Sequence, residues 1–163
     1  MDNLDLSTVF ARNCEVRRID RARAAAFMDS CHRMGSATCR HCYGLFIKRR
    51  TGESETELEC GTMVAAATFS NARRWRKGDV TVASYEWIRY ASLPGIRVTG
   101  GMGKLLNAFV EEVGPDDVMS YCDLGWSDGD AYRELGFTQE GVVERTGFRC
   151  LKFRKTFPTS ARP

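Results

Sequence analysis

Three glycines within four positions, Gly100, Gly101 and Gly103, stand at the head of a helix-like run in Val98–Phe109, VTGGMGKLLNAF. No other stretch restricts the fold as much. It reads as a turn that carries the chain from a strand into a helix, with glycines supplying positive φ and close backbone approach. A helix N-terminus carries unpaired N–H groups and a partial positive charge. Glycines there let an anion reach those groups. Gly100, Gly101 and Gly103 then form a phosphate cradle, to which Arg97 and Lys104 add charge. The alternative is a tight strand-to-helix turn with no ligand. The P-loop spacing G-x-x-x-x-G-K-[ST] and the dinucleotide spacing G-x-G-x-x-G are both absent.

The rest of the chain supplies strands and helices around this turn. CEVRRI (Cys14–Ile19) alternates and reads as a strand. Asp20 caps a helix over Arg21–Cys31. HRMGSATCRH is a loop and CYGLFIKRR a strand. TGESETE is a polar turn with Gly52 at its tip. Glu53, Glu55, Glu57 and Glu59 recur every second residue and share one solvated face. TMVAAATFS is a strand buried on both faces. NARRWRKGD is a basic loop, and VTVASYEWIRYAS is the longest strand. LPGIRVTGG turns into the helix GKLLNAFVEEV, which Gly114-Pro115 ends. DVMSYCD is a strand and SDGDAYREL a short helix stopped by Gly136. FTQEGVVE and FRCLKFRK form a hairpin, and residues 157–163 are a flexible tail. The order β-α-β-β-β-α-β-α-β-β predicts an α/β (α+β) fold with a mixed sheet.

At 163 residues the chain is expected to be one domain, residues 1–163. No window approaches the roughly 18 consecutive apolar residues of a membrane span. The acidic start MDNLDLSTVF lacks the layout of a signal peptide, which points to the cytoplasm. Seven cysteines read as free thiols in that reducing compartment. Cys39 and Cys42 form a C-x2-C with Cys31 and His32 upstream, but no second ligand pair follows, so no metal is expected. The net charge of +3 permits an anionic partner without demanding one.

A second motif, YRELGF (Tyr132–Phe137), follows the glycine turn after one intervening strand. In this pair of motifs the chain resembles the GNAT superfamily of acyl-CoA-dependent N-acyltransferases. Gly101-Met102-Gly103 matches the paired glycines of its [QR]-x-x-G-x-[GA] signature, and Lys104-Leu105-Leu106 matches the continuation. Val98 stands where the signature has Gln or Arg, with Arg97 one residue away. The resemblance covers nearly the whole chain and implies a GNAT-like fold with acetyl-CoA or another acyl-CoA as co-substrate. It implies that backbone near Tyr90 and Ala91 pairs with the pantetheine arm. The pyrophosphate would lie at Arg97, Val98, Thr99, Gly100, Gly101, Met102, Gly103 and Lys104. Tyr132 falls at the general-acid position, where a phenol protonates the departing thiolate; the alternative is a tyrosine that packs its helix on the sheet.

HRMG, YGLFI, ATFS, YEWIRY, VTGGMGKLL and SYCDLGW also resemble a phage-borne branch of that superfamily, related to the Mom DNA-modification proteins. This implies an amine acceptor on a nucleobase and DNA or another nucleic acid as partner. Among the polar residues, Asp123 closes a strand, where a carboxylate either serves an attacking amine or caps the following turn. Glu86 and Arg89 lie on opposite faces of the long strand. Glu86 is a second candidate base, and His32, ahead of the next strand, is a further catalytic candidate. Arg73, Arg74, Trp75, Arg76 and Lys77 interleave an indole with four cations. That composition suits phosphate contacts and base stacking, the alternative being a solvated loop. Arg149, Lys152 and Arg154 add further positive charge. The competing function is a nucleic-acid-binding module that keeps the fold without acyl transfer.

Overall fold

The computed structural model describes residues 7–49, 58–145 and 147–158. The expected polar turn with Gly52, Glu53, Glu55 and Glu57, and residues 159–163 of the expected tail, lie outside the described residues. In chain order the elements begin with β1 (Ser7–Phe10), a 3-10 turn (Ala11–Asn13), β2 (Cys14–Arg18), α1 (Arg21–Cys31), β3 (His41–Ile47) and β4 (Met63–Phe69). They continue with β5 (Arg73–Lys77), β6 (Val80–Ser92), β7 (Ile96–Thr99), α2 (Gly101–Val113) and β8 (Asp117–Asp123). The last are α3 (Asp130–Glu134), β9 (Thr138–Arg145) and β10 (Phe148–Thr156). The chain forms two compact units, Met1–Phe69 with Arg89–Glu112 and Ser70–Ile88 with Val113–Pro163. The strand β6 contributes residues to both.

In the first unit β2, β3 and β4 pair antiparallel, and β1 pairs parallel with β7 from Ser7↔Ile96 to Phe10↔Thr99. Six of the seven residues of β3 and of β4 are buried, because helices cover both faces. Phe27 and Met28 of α1 pack on Ala66 and Ala91. On the opposite face Phe109 of α2 stacks on Phe69, ring centroids 4.0 Å apart, and meets Tyr43 edge-on. Asp20 caps α1 as expected, its carboxylate accepting from Arg23 N–H at 2.7 Å.

In the second unit β5 and β6 form a hairpin, β6 runs parallel to β8, β8 pairs antiparallel with β10, and β10 with β9. Parallel and antiparallel pairing together make the mixed α/β arrangement anticipated above. Buried polar groups are satisfied as a chain. Trp75 Nε1–H donates to Ser84 Oγ, Ser84 donates to Asp117 Oδ2, and Arg154 bonds both Asp117 and Glu140. Asp117 is nearly inaccessible, so its charge needs the Arg154 partner.

Three strands depart from the expected order. Arg73–Lys77, read as a basic loop, is β5, paired with β6 from Arg73↔Ser84 to Lys77↔Val80. The cause is the two-residue connection Gly78-Asp79, with Gly78 at φ 64°, a connection that closes hairpins. Ile96–Thr99, read as part of a turn, is β7, and Ser7–Phe10 is its partner β1. At four residues each, both are too short to show a period. The helix α2 begins at Gly101, ahead of the apolar run from which it was inferred. Phe157, at the head of the expected tail, donates its N–H to Asp116 O at 2.8 Å.

Phe109 is fully buried and meets three aromatic neighbours. Phe109→Ala is expected to lower unfolding free energy by about 3–5 kcal/mol, read from urea titration. A loss below about 1 kcal/mol would mean that the stack is not part of the core.

Candidate active site

The glycine turn belongs to the first unit. Gly100 has φ 79°, a left-handed conformation that side chains resist, and it reverses the chain from β7 into α2. The first bond within α2 runs from Lys104 N–H to Gly100 O at 3.1 Å. The N–H groups of Gly101, Met102 and Gly103 precede it and point out of the helix end. Gly101 is buried, and its missing side chain has a steric cause. A Cβ there would stand 2.8 Å from Tyr90 Oη and 2.8 Å from Val98 Cγ1. Val98, the departure from the signature, thus packs over the turn, and burial pushes the Tyr90 phenol up to about 12. Ala91 beside it is buried, whereas Arg97 and Thr99 are exposed.

Lys104 does not face outward from the turn. Its ammonium donates to Ala11 O at 2.9 Å and Cys14 O at 2.6 Å, and so binds the 3-10 turn to α2. A groove of about 1050 Å³ opens beside it, lined by Gly100 and Gly103 and by Arg12, Glu15, Lys48 and Arg49 among others. Arg49 Nε donates to Asn13 Oδ1, and the Arg12 guanidinium lies 4.4 Å from the Phe10 ring centroid. Sequence reasoning missed these groove cations because they lie far from the glycines along the chain.

In the second unit the parallel ladder between β6 and β8 runs from Ser84↔Asp117 to Glu86↔Met119. At the next step a side chain replaces the backbone. Ser120 Oγ lies 3.1 Å from Trp87 O and 2.9 Å from Tyr132 Oη. A hydroxyl has one proton, and a carbonyl can only accept. Ser120 therefore donates to Trp87 O and accepts the Tyr132 proton. The Tyr132 ring is stacked on Phe153, with Trp87 and Phe137 edge-on. Tyr132 is partly exposed as a residue, but its hydroxyl end is buried. Burial pushes its phenol up, and a hydrogen bond from the Ser120 hydroxyl to the ionised form opposes the shift. Ser120 was not singled out in the sequence. Its signal was a hydroxyl directly after Val118 and Met119 inside a strand, where burial demands a partner.

The other candidates have identifiable local partners. Asp123 Oδ1 accepts from Gly125 N–H at 2.8 Å, and its carbonyl accepts from Trp126 and Ser127, so it caps the turn after β8. Glu86 is ion-paired with Arg145 at 2.9 Å. His32 Nδ1 accepts from Met34 N–H at 3.0 Å, and Arg89 Nε donates to Gly35 O in the same loop. Burial, then Arg89 and Arg33, push the His32 imidazole down to about 4. The sulfurs of Cys39 and Cys42 are 3.3 Å apart. Among the described residues no three His, Cys, Asp or Glu side chains gather as a metal site requires. All five residues of β5 are exposed, with Arg73, Trp75 and Lys77 on one face and Arg74 and Arg76 on the other. Two cations of β10 are engaged, Arg154 with Asp117 and Glu140, and Lys152 with Glu140.

No protein-family model matches the chain, and no curated protein matches it. Solved structures do. Arabidopsis thaliana NAA60 in complex with acetyl-CoA matches with a TM-score of 0.64 at 11% identity, over 88% of this chain and 99% of that one. A variant of spermidine N-acetyltransferase SpeG from Vibrio cholerae matches at 0.61 and 9%, over 89% and 94%. A chain of the NatC complex bound to Gag peptide and CoA matches at 0.60 and 11%, over 90% and 99%. The fold is that of the GNAT N-acetyltransferases. Among the described residues no helix is long and apolar enough to cross a membrane.

The low value at His32 has a sign. An unfolded histidine titrates near ~6.5 and the folded one lower, so between the two values only the unfolded chain takes the proton. The stability that neutral His32 contributes is complete above the unfolded value and is lost as pH falls toward about 4. His32→Asn keeps an acceptor for Met34 N–H and removes the titration. The gap between the urea midpoints of parent and variant is expected to change across this window in favour of the variant at the acid end. Parallel pH profiles would show that His32 is not held neutral.

Proposed function

We propose that the chain is an acyl-CoA-dependent N-acyltransferase that moves an acyl group from a CoA thioester to an amine. The observation that carries this reading is a GNAT fold whose α2 opens on the Gly100–Gly103 turn. The donor set fits an anionic diphosphate. Three N–H groups precede the first helical bond, and the helix end is electropositive. Arg12, Lys48 and Arg49 line the groove that Gly100 and Gly103 share, and are assigned to the remaining phosphate of the same ligand. The backbone of Tyr90 and Ala91 is assigned to the pantetheine arm. Lys104 acts indirectly, by fixing the 3-10 turn against α2.

An acyl thioester supplies an activated carbonyl carbon and a thiolate that leaves. The roles of the chain's own residues follow from their protons. Tyr132 is the general acid: a phenol is protonated at neutral pH, and burial pushes its titration further up. When Tyr132 gives up that proton, rotation of the Ser120 hydroxyl swings its single proton from Trp87 O to the phenolate. Asp123 is preferred over Glu86 as the group that receives or orients the amine, because Arg145 neutralises Glu86. His32 has no proton-transfer role here.

For the acceptor we favour an amine on a nucleobase, as in Mom-like DNA modification. Support comes from β5, which presents Arg73, Arg74, Arg76 and Lys77 around Trp75, a residue 41% exposed. No carboxylate among the described residues is ion-paired to these four cations. A positively charged strand with an open indole suits an unpaired nucleic-acid strand.

Acetyl-CoA is expected to bind in calorimetry, and Gly103→Val to abolish binding while the protein stays folded. In an assay of released CoA thiol, Tyr132→Phe is expected to lower turnover by roughly 10²–10⁴ with CoA affinity nearly unchanged. Absence of acetyl-CoA binding by the parent overturns the transferase reading. Full turnover in Tyr132→Phe overturns the acid assignment alone.

Single-stranded oligonucleotides are expected to bind with affinity that falls steeply with salt. Replacing Arg73, Arg74 and Arg76 by Ala is expected to flatten that slope. No binding at low salt returns β5 to a solvated edge. Binding by a protein that takes no acetyl-CoA identifies the non-catalytic module instead.

A further inference from the structure

We propose that Cys39 and Cys42 are a thiol–disulfide modification site, closed to an intramolecular disulfide by a small-molecule disulfide oxidant of the glutathione class. The two sulfurs are 3.3 Å apart, already in contact across a C-x-x-C spacing. No other pair of described cysteines is joined by a sulfur–sulfur contact. The other five are scattered, and Cys60 is the exposed one. Among the described residues no third ligand gathers with the two thiols as a structural metal requires.

The backbone on either side is pinned. Arg40 N–H donates to Phe69 O at 2.8 Å. Cys42 lies in β3 opposite Thr68, and its carbonyl accepts from Ile19 N–H at 3.1 Å. The sulfurs thus already meet on a backbone held by its own hydrogen bonds. Exposure divides the roles: Cys39 is half-buried and within reach of solvent, whereas Cys42 is buried. Burial, followed by the contact with Cys39, pushes the Cys42 thiol up to about 12, so it is a poor first nucleophile.

The chemistry balances in two exchanges. Cys39, as thiolate, attacks one sulfur of glutathione disulfide. The glutathione S–S bond breaks, a Cys39–glutathione disulfide forms, and one glutathione thiolate leaves and takes up the proton that Cys39 released. Cys42 then attacks the Cys39 sulfur. The second glutathione leaves with the Cys42 proton. Two electrons pass from the two protein thiols to the oxidant. The product joins the exit of the loop between α1 and β3 to β3 itself, closing a small ring over Arg40 and His41.

The test uses the full chain with Cys60→Ser, glutathione disulfide as oxidant, an alkylating quench, and mass spectrometry of whole protein and peptides. The parent chain, with Cys60 present, is treated in parallel, and glutathione on Cys60 calibrates the oxidant. At that dose the Cys60→Ser protein is expected to lose two alkylatable thiols, yield a Cys39–Cys42 linked peptide, and regain both thiols with dithiothreitol. Adding Cys42→Ser is expected to trap one glutathione on Cys39. Adding Cys39→Ser is expected to leave Cys42 reduced. Two results overturn the proposal: both thiols still free at a dose that modifies Cys60, or a Cys39–glutathione adduct that Cys42 never resolves.

Discussion

One hydroxyl decides where the parallel ladder of the second unit stops. Between β6 and β8 the backbone pairs from Ser84 to Glu86, and then Ser120 Oγ takes the carbonyl of Trp87. A side chain in that position holds the strands together without a further backbone bond. It also creates a polar point among Trp87, Phe137 and Phe153, where only a group that completes its hydrogen bonding can sit. The Tyr132 phenol meets that need. The short helix α3 is seated by this ring and by Phe137 N–H bonding back to Tyr132 O. The position of Tyr132 thus follows from a serine that stands where the ladder ends.

The same structure explains what was legible in the sequence. Helix α1 was readable because Asp20 announces its start, and β3 and β4 because layers on both faces leave unbroken apolar runs. The glycine turn was readable because its backbone requirement excludes most residues. β5 was not, although its signal was present: Gly78-Asp79 is a two-residue hairpin turn, and the density of arginines outweighed it. β1 and β7 depend on each other across a long sequence separation, and four residues carry no period. The phosphate-cradle reading of Gly101 left out a second role for a similar reason. Its missing side chain makes room for Tyr90 and Val98, a packing requirement visible only once the strand and helix are folded together.

Charge was the least legible feature. By composition, Lys104, Arg154, Lys152 and the β5 cations are alike. In the fold, Lys104 is bound to two carbonyls, while Arg154 and Lys152 answer Asp117 and Glu140. A carbonyl near a helix start attracts an ammonium as well as a phosphate would, and only geometry decides between them. The exposed cations without an ion-paired carboxylate among the described residues, Arg12, Lys48 and Arg49 in the groove and the four of β5, are therefore stronger pointers to ligands than the net charge of +3.

These engaged and outward-facing charges sort the proposed chemistry. A transferase of this kind needs a phenol that stays protonated until the thiolate appears, and a neighbour that accepts the change when it does. Burial reinforces the first and opposes the second, since a buried phenolate without a donor is costly. Ser120 resolves the conflict because its proton has two acceptors within reach, Trp87 O and Tyr132 Oη. Rotation about one bond moves that proton between them with no change in the backbone. A carbonyl can release the bond at modest cost, about 0.5–1.5 kcal/mol for a neutral pair, whereas a charged acceptor gains roughly twice as much. The hydroxyl therefore favours the carbonyl before proton transfer and the phenolate after it, the order in which the reaction needs it.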